Sequence, residues 1–351
     1  MKTFGYAARS ATTPLAPYSF ERRNPRDNDV AMEILYSGVC HSDLHTARGD
    51  WAGTVYPNVP GHEIVGRVTA VGSKVRKYKV GDMVAVGCMV DSCQTCGYCH
   101  SGEEQFCCEG MTATYNSPDR ITGENTLGGY SKHLVVREEF VLRIPEGLDI
   151  TRAAPLLCAG ITTYSPLRKW NVGPGSRVAV AGMGGLGHMA IKLAVGLGAH
   201  VTVLSRSSGK EADARELGAD AFIISANAQE MADAASSFDL IVDTIPVKHD
   251  VNPYMPLLKV DGTLVLVGQV GPINEVMTVP LVMGRRRIAG SLIGGIRETQ
   301  EMLDFCARKN ILPECEMIRM EEINEAYERM ERSDVRYRFV IDMTKLEEKT
   351  A

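Results

Sequence analysis

From about residue 175 onward the chain alternates short apolar runs with stretches of mixed character. RVAVAG, HVTVLS, AFIIS, DLIVDT, TLVLVG and RIAGSLI are short and mostly apolar, and GHMAIKLAVGLG, KEADARELG and PYMPLLKVDG, which lie among them, read as helices. Strand alternating with helix predicts a parallel sheet covered on both faces, since strands buried on both faces lose the period-two alternation. Residues 30 to 90 have another texture. DVAMEILYSGVC, EIVGRVTAVGSKV and VGDMVAVG alternate apolar with polar positions and are broken by glycines. That pattern predicts a strand-rich, partly barrel-like domain. Beyond about residue 291, RETQEMLDFCARKN and EEINEAYERMERS space their apolar residues as amphipathic helices do, and RYRFVIDM reads as a closing strand.

Composition narrows the setting. The 351 residues suffice for two domains, each with its own core. A net charge of -5 gives no reason to expect a nucleic acid or an anionic membrane as partner. The start MKTFGYAARS lacks the apolar stretch of a secretory signal, and no uninterrupted apolar run is long enough to span a bilayer. A cytoplasmic location is therefore expected, where thiols stay reduced. Ten cysteines in such a compartment point towards metal ligation or catalysis rather than disulfides.

Five of the ten lie in DSCQTCGYCHSGEEQFCC, residues 91 to 108. Cys93, Cys96 and Cys99 recur every three positions, and either Cys107 or the adjacent Cys108 can complete a set of four. Four thiolates close a tetrahedron around zinc and leave no open position, so such a metal would be structural. A second signal is GMGGLG, Gly182 to Gly187, between the expected strand RVAVA and the expected helix GHMAIKLAVGLG. A glycine-rich turn there brings backbone N–H groups to a pyrophosphate at the helix N-terminus, the mark of dinucleotide binding. A site for NAD usually carries an acid at the end of the next strand, to hold the ribose 2′-hydroxyl. Here Ser205 stands at that point, with Arg206, Ser207, Ser208 and Lys210 after it. Hydroxyls and cations accept a 2′-phosphate that a carboxylate would repel, so NADP(H) is the expected cofactor.

The remaining motifs, SGVCHSDLH, PGHEIVGRVTAVGSKV and LLCAGITTY, carry a family resemblance together with these. Gly61, His62, Glu63, Gly66, Gly72 and Val75 resemble the signature of the zinc-containing medium-chain alcohol dehydrogenases, and the motifs follow that family's order from about residue 30 to the C-terminus. GVCHSDLH, YPNVPGHEIVGRV, LLCAGITTYSPL and AGSLIGG look like its cinnamyl alcohol dehydrogenase branch, which includes bacterial broad-range aldehyde reductases. The resemblance implies an α/β chain with a GroES-like catalytic domain over 1–154 and 292–351. Into it would be inserted a Rossmann doubly wound parallel sheet over 155–291. It implies a catalytic zinc on Cys40, His62 and Cys158, with Glu63 beside it. Ser42 and His45 would form a proton relay, and Asp43 would orient the ligand histidine. Thr162 would pack near the nicotinamide, while Gly182, Gly184, Gly185, Leu186 and Gly187 would cradle the dinucleotide. It selects Cys107 over Cys108, so that Cys93, Cys96, Cys99 and Cys107 hold a structural zinc in a lobe at about 91–109. Two zinc ions per chain, an alcohol or aldehyde substrate and a homodimer follow by the same likeness. Other readings are a polyol or secondary-alcohol dehydrogenase of the same superfamily, and a non-catalytic NADPH-binding protein.

Overall fold

The computed structural model describes residues 1–268, 271–273 and 275–347, so the last four residues of the expected 292–351 segment lie outside it. Two compact units divide the chain. One comprises Met1–Cys158 with Gly294–Ala351, the other Ala159–Ile293. The first boundary falls four residues later than the 154/155 that the resemblance implies, because the helical turns Ile150–Ala153 and Ala154–Leu157 pack on the sheet of the first unit. Among the described residues no helix is long and apolar enough to cross a membrane.

The six apolar runs after residue 175 form one six-stranded sheet. Its spatial order is Ala221–Ile224, His200–Ser205, Arg177–Ala181, Phe238–Asp243, Leu258–Leu266 and Arg287–Gly290, with every neighbour parallel. Numbered along the chain this is the 3-2-1-4-5-6 order of the doubly wound dinucleotide-binding fold, with its reversal point between Arg177–Ala181 and Phe238–Asp243. Phe238, Ile241, Leu264 and Leu204 pack in one buried cluster of this unit. Truncating a fully buried phenylalanine costs about 3–5 kcal/mol, so Phe238 is a large local contributor.

One expected helix is absent. In PYMPLLKVDG only Asn252–Leu257 turns, as a 3₁₀ segment, and Leu258 onwards enters the strand Leu258–Leu266. Pro253 and Pro256 each lack a backbone N–H, so an α-helix cannot propagate through them. The strand then bends at Asp261, whose φ of 64° accompanies the register shift against Phe238–Asp243.

In the first unit the long strand Asp29–Val39 is the hub of a seven-stranded sheet. It pairs antiparallel with Ile64–Val71, His133–Arg137 and Arg338–Asp342, and irregularities at Ala31/Met32 and Ile34/Tyr36 bend it so that different parts meet different partners. Met83–Val86 and Leu142–Arg143 extend one side, Cys315–Ile318 the other. The helix Ile296–Lys309 buries Met302, Leu303, Phe305 and Cys306 along one stripe, as its amphipathic spacing requires.

Candidate functional site

Three distant parts of the chain converge in the first unit. Cys40, His62, Glu63 and Cys158 each offer a ligand atom, and these atoms all lie within 4.8 Å of one another. Cys40 sits between the strand Asp29–Val39 and the helix His41–Arg48. His62 and Glu63 lead directly into Ile64–Val71, and Cys158 follows the turn Ala154–Leu157. The ladder between the two strands carries Cys40 and Glu63 to one place, with the Gly38 N–H donating to the Glu63 carbonyl at 2.8 Å. A Cβ at residue 38 would lie 1.8 Å from Glu63 Oε2, so only glycine admits the carboxylate there.

Asp43, in the first turn of His41–Arg48, organises this convergence from full burial. Its Oδ2 accepts the Cys40 N–H at 2.9 Å and the Tyr130 hydroxyl at 3.2 Å. Its Oδ1 accepts the Gly61 N–H at 2.9 Å and faces His62 Nδ1 at 2.9 Å. A carboxylate at Nδ1 keeps the proton on that nitrogen and leaves the Nε2 lone pair for a metal. Asp43→Asn should therefore weaken retention of zinc or activity by roughly 10–100-fold. Competition with a chromogenic chelator measures this, and unchanged retention would reduce Asp43 to a backbone cap.

The electrostatics of the cluster call for a cation. Burial alone would depress His62, but Asp43, Cys88 and Cys40 raise its pKa well above the usual imidazole range. The hydrogen bond with Cys158 holds the Cys40 thiol well below its usual value against burial, with help from His62 and Arg338. The same interaction with Cys40, then Cys88 and burial, push Cys158 up. The two sulfurs are 4.0 Å apart. With an imidazole they make a soft donor set suited to zinc.

Burial pushes the Glu63 carboxyl up to about 7, against the opposing pull of Arg338. Arg338 donates to Glu63 Oε1 and to the Val39 carbonyl, the latter at 2.9 Å. Glu63 Oε2 is buried without a hydrogen-bond partner among the described residues. One oxygen is thus anchored and the other left for a cation. Sequence reasoning did not single out Arg338, although a charge inside the apolar run of Arg338–Asp342 was a signal to follow.

Ser42 and His45 lie on the helix that begins beside Cys40. Ser42 Oγ is 3.7 Å from Cys40 Sγ. His45 is partly exposed, with Nδ1 2.8 Å from Asp50 Oδ2 and its ring 5.4 Å from that of Trp51. Asp50 is a further residue the sequence did not distinguish, since an aspartate after a helix-ending glycine has a ready role in a turn. Tyr115 is buried, its ring 5.6 Å from that of His62.

Cys93, Cys96, Cys99 and Cys107 form the second donor set, again within 4.8 Å of one another. Backbone N–H groups point at the sulfurs: Thr95 and Cys96 donate to Cys93 at 3.4 and 3.3 Å, and Cys93 donates to Cys107 at 3.4 Å. The hydrogen bonds from Thr95 lower the Cys93 pKa, and the backbone N–H of Cys108 leads those that bring Cys96 down to about 6. Cys99 is instead pushed up to about 12 by burial. Four sulfurs, thiolate-stabilising amides and, among the described residues, no further ligand atom in the set fit a closed zinc site. Cys108 is exposed and outside the set.

In the second unit the turn 182–187 joins Arg177–Ala181 to the helix Gly187–Gly196. A Cβ at Gly187 would lie 2.2 Å from the Gly182 carbonyl oxygen, so the strand and helix approach too closely there for any other residue. Gly184, Gly185 and Leu186 complete the turn, and Thr162 is buried in the helix Ala159–Lys169. Ser205 ends its strand, and Arg206 and Ser207 follow it in exposed positions. Lys210 Nζ donates to the Met183 carbonyl at 2.9 Å, so it ties the serine-rich loop to the glycine-rich turn.

Comparison with known proteins places these features in context. The family described as alcohol dehydrogenase GroES-like domain matches residues 26–146, and that described as zinc-binding dehydrogenase matches residues 185–308. The chain is 56% identical over 344 residues to the aldehyde reductase YahK of Escherichia coli, covering 97% of this chain and 98% of that one. The structure of the cinnamyl alcohol dehydrogenase SbCAD4 from Sorghum bicolor superposes with a TM-score of 0.96 at 44% identity, covering all of both chains. That of a cinnamyl alcohol dehydrogenase from Helicobacter pylori, complexed with NADP(H), gives 0.92 at 41% identity over 98% of this chain and 99% of the other.

Proposed function

The chain belongs to the GroES-like, zinc-binding alcohol dehydrogenase family and is a zinc-dependent alcohol dehydrogenase or aldehyde reductase; we propose that it works with NADP(H) on a broad range of primary alcohols and aldehydes, aromatic ones included. The observation that carries the reading is the set of half-buried Cys40 with buried His62, Cys158 and Glu63, whose ligand atoms lie within 4.8 Å of one another. When bound, zinc supplies a Lewis acid for the substrate oxygen and the nicotinamide supplies or accepts the hydride. Cys40, His62 and Cys158 hold the metal and leave a position open, while Asp43 fixes the imidazole. Glu63, steadied by Arg338, offers its free oxygen as an exchangeable ligand. Ser42 passes the hydroxyl proton outward, and His45, held by Asp50, exchanges it with solvent. Cys93, Cys96, Cys99 and Cys107 hold a second zinc that stabilises their lobe.

For the cofactor, Ser205 and Ser207 offer hydroxyls, and Arg206 and Lys210 offer charge, to a 2′-phosphate. Lys210 would exchange the Met183 carbonyl for phosphate oxygen at little cost, since both are acceptors for the same ammonium. Charge-assisted hydrogen bonds contribute roughly 1.5–3 kcal/mol each, so two of them give a preference of about 10²–10⁴ for NADPH. Initial rates over a panel of aliphatic and aromatic aldehydes, with NADPH and with NADH, test this. Ser205→Asp should weaken NADPH sharply and favour NADH. Equal catalytic efficiency of the parent with both cofactors would contradict the reading.

A homodimer is also part of the proposal. Val279, Val282 and Met283 are exposed on the helix Thr278–Gly284, close in sequence to the edge strand Arg287–Gly290. An edge strand without a further partner among the described residues, close in sequence to exposed apolar side chains, suits pairing with a second copy. Sedimentation should give a dimer for the parent and a monomer for Met283→Glu; a monomeric parent would end the idea.

A further inference from the structure

Asp243 is a buried carboxyl at the carboxyl end of Phe238–Asp243, one of the two strands at the reversal point of the parallel sheet. Its Oδ1 accepts the Ile245 N–H at 3.0 Å, and its Oδ2 faces His249 Nε2 at 2.8 Å. The other ring nitrogen, Nδ1, is 2.8 Å from the Val247 carbonyl oxygen. The ring therefore ties the far end of loop 244–250 back to the sheet, while Pro246, Val247 and Lys248 stay exposed. The near end is fixed as well. Thr244 donates its N–H and its hydroxyl to the Ala181 carbonyl, both at 2.9 Å, and a Cβ at Gly182 would lie 3.0 Å from the Ile245 side chain.

Strand register sets this loop across from the serine-rich one. Asp243 and Leu204 pair with the same residue, Ala181, from its two sides. The chain thus leaves the sheet level on both sides, two strand spacings or about 10 Å apart, with the glycine-rich turn between. Ligands of such sheets lie in the crevice at the carboxyl ends of the strands, at the reversal point. We propose that His249, acting through Asp243, positions loop 244–250 as a wall of the crevice that takes the adenosine half of NADP(H), and so sets the affinity for that half. The inference rests on the reading that seats the dinucleotide on the glycine-rich turn with its 2′-phosphate at 205–210. Among the described residues the His249 ring is the partner of Asp243 Oδ2. Without the ring a buried acceptor is left unmatched, and it regains a donor from water only if the loop moves off the sheet. His249 is thus a positioning residue.

Calorimetric titration of the zinc-loaded enzyme with NADPH, and with 2′,5′-ADP, which carries the adenosine half alone, tests this. His249→Ala should weaken both by roughly tenfold, the effect of one buried hydrogen bond to a charged group. KM for NADPH should rise in proportion, with much smaller changes in kcat and in KM for the aldehyde. His249→Gln, whose amide nitrogen stands near the place of Nε2, should keep the bond to Asp243 and recover most of the affinity. His249→Asn, whose amide reaches only the place of Nδ1, should not. Should His249→Ala fail to fold, the contrast between the Gln and Asn variants carries the same expectation. Equal affinities in those two, or a loss for NADPH that 2′,5′-ADP does not share, would overturn the inference. If Ser205→Asp left the affinity for 2′,5′-ADP unchanged, the cofactor-site reading would fall and the inference with it. A loss in Ser205→Asp beside unchanged His249 variants would overturn the inference alone.

Discussion

Cys158→Ala is expected to abolish aldehyde reduction while leaving NADPH binding intact. Cys158 is one of two sulfurs in the largely buried donor set, and without it Cys40, His62 and Glu63 hold the metal too weakly to keep it. A Lewis acid contributes several kcal/mol to stabilising charge on the substrate oxygen, so turnover should fall by at least about a thousandfold. The dinucleotide rests on the parallel-sheet unit, Ala159–Ile293, whose glycine-rich turn this substitution does not touch. Quenching of protein fluorescence by NADPH should therefore give the parent's affinity. His62→Ala should behave alike. Turnover within tenfold of the parent, with the site otherwise intact, would remove the cluster from the chemistry.

The second large effect concerns stability. Cys93→Ser should destabilise the protein far more than it slows the chemistry of the molecules that stay folded. The lobe has little apolar core: two short helical turns, Gly97–Ser101 and Glu104–Phe106, carry aromatic side chains, Tyr98 and Phe106, that are exposed rather than buried, and polar bonds from Ile296 and Arg297 to Glu104 and Ser101 add only a tie at its edge. A structural zinc contributes about 10–16 kcal/mol of apparent binding free energy to such a site, and much of it is folding free energy. Losing one thiolate should lower the melting temperature markedly and release one zinc per chain. Catalytic rate per folded molecule should stay near that of the parent. If the variant kept both its melting temperature and its full metal content, the closed-lobe assignment would fall.

How much of this could be read in the chain varies with the kind of signal. The parallel sheet was legible because strands buried on both faces are written as apolar runs, and RVAVA and DLIVD leave little other reading. PYMPLLKVDG misled because its apolar spacing imitates a helix, whereas two prolines and a bent strand decide its structure. The cysteines and histidine of the donor sets stood out through residue type and local spacing. Arg338 and Asp50 did not, because their meaning lies in partners far away or in an ordinary turn. Arg338 meets Glu63 across 275 positions of sequence, and Asp50 gains its interest only from the His45 ring beside it.

The central claim is that this chain carries a catalytic and a structural zinc in separate donor sets. Metal analysis of the gel-filtered protein tests it most directly. Two complete sets predict two zinc ions per chain in the parent, and one in either Cys158→Ala or Cys93→Ser. A parent holding one zinc or none would contradict the account.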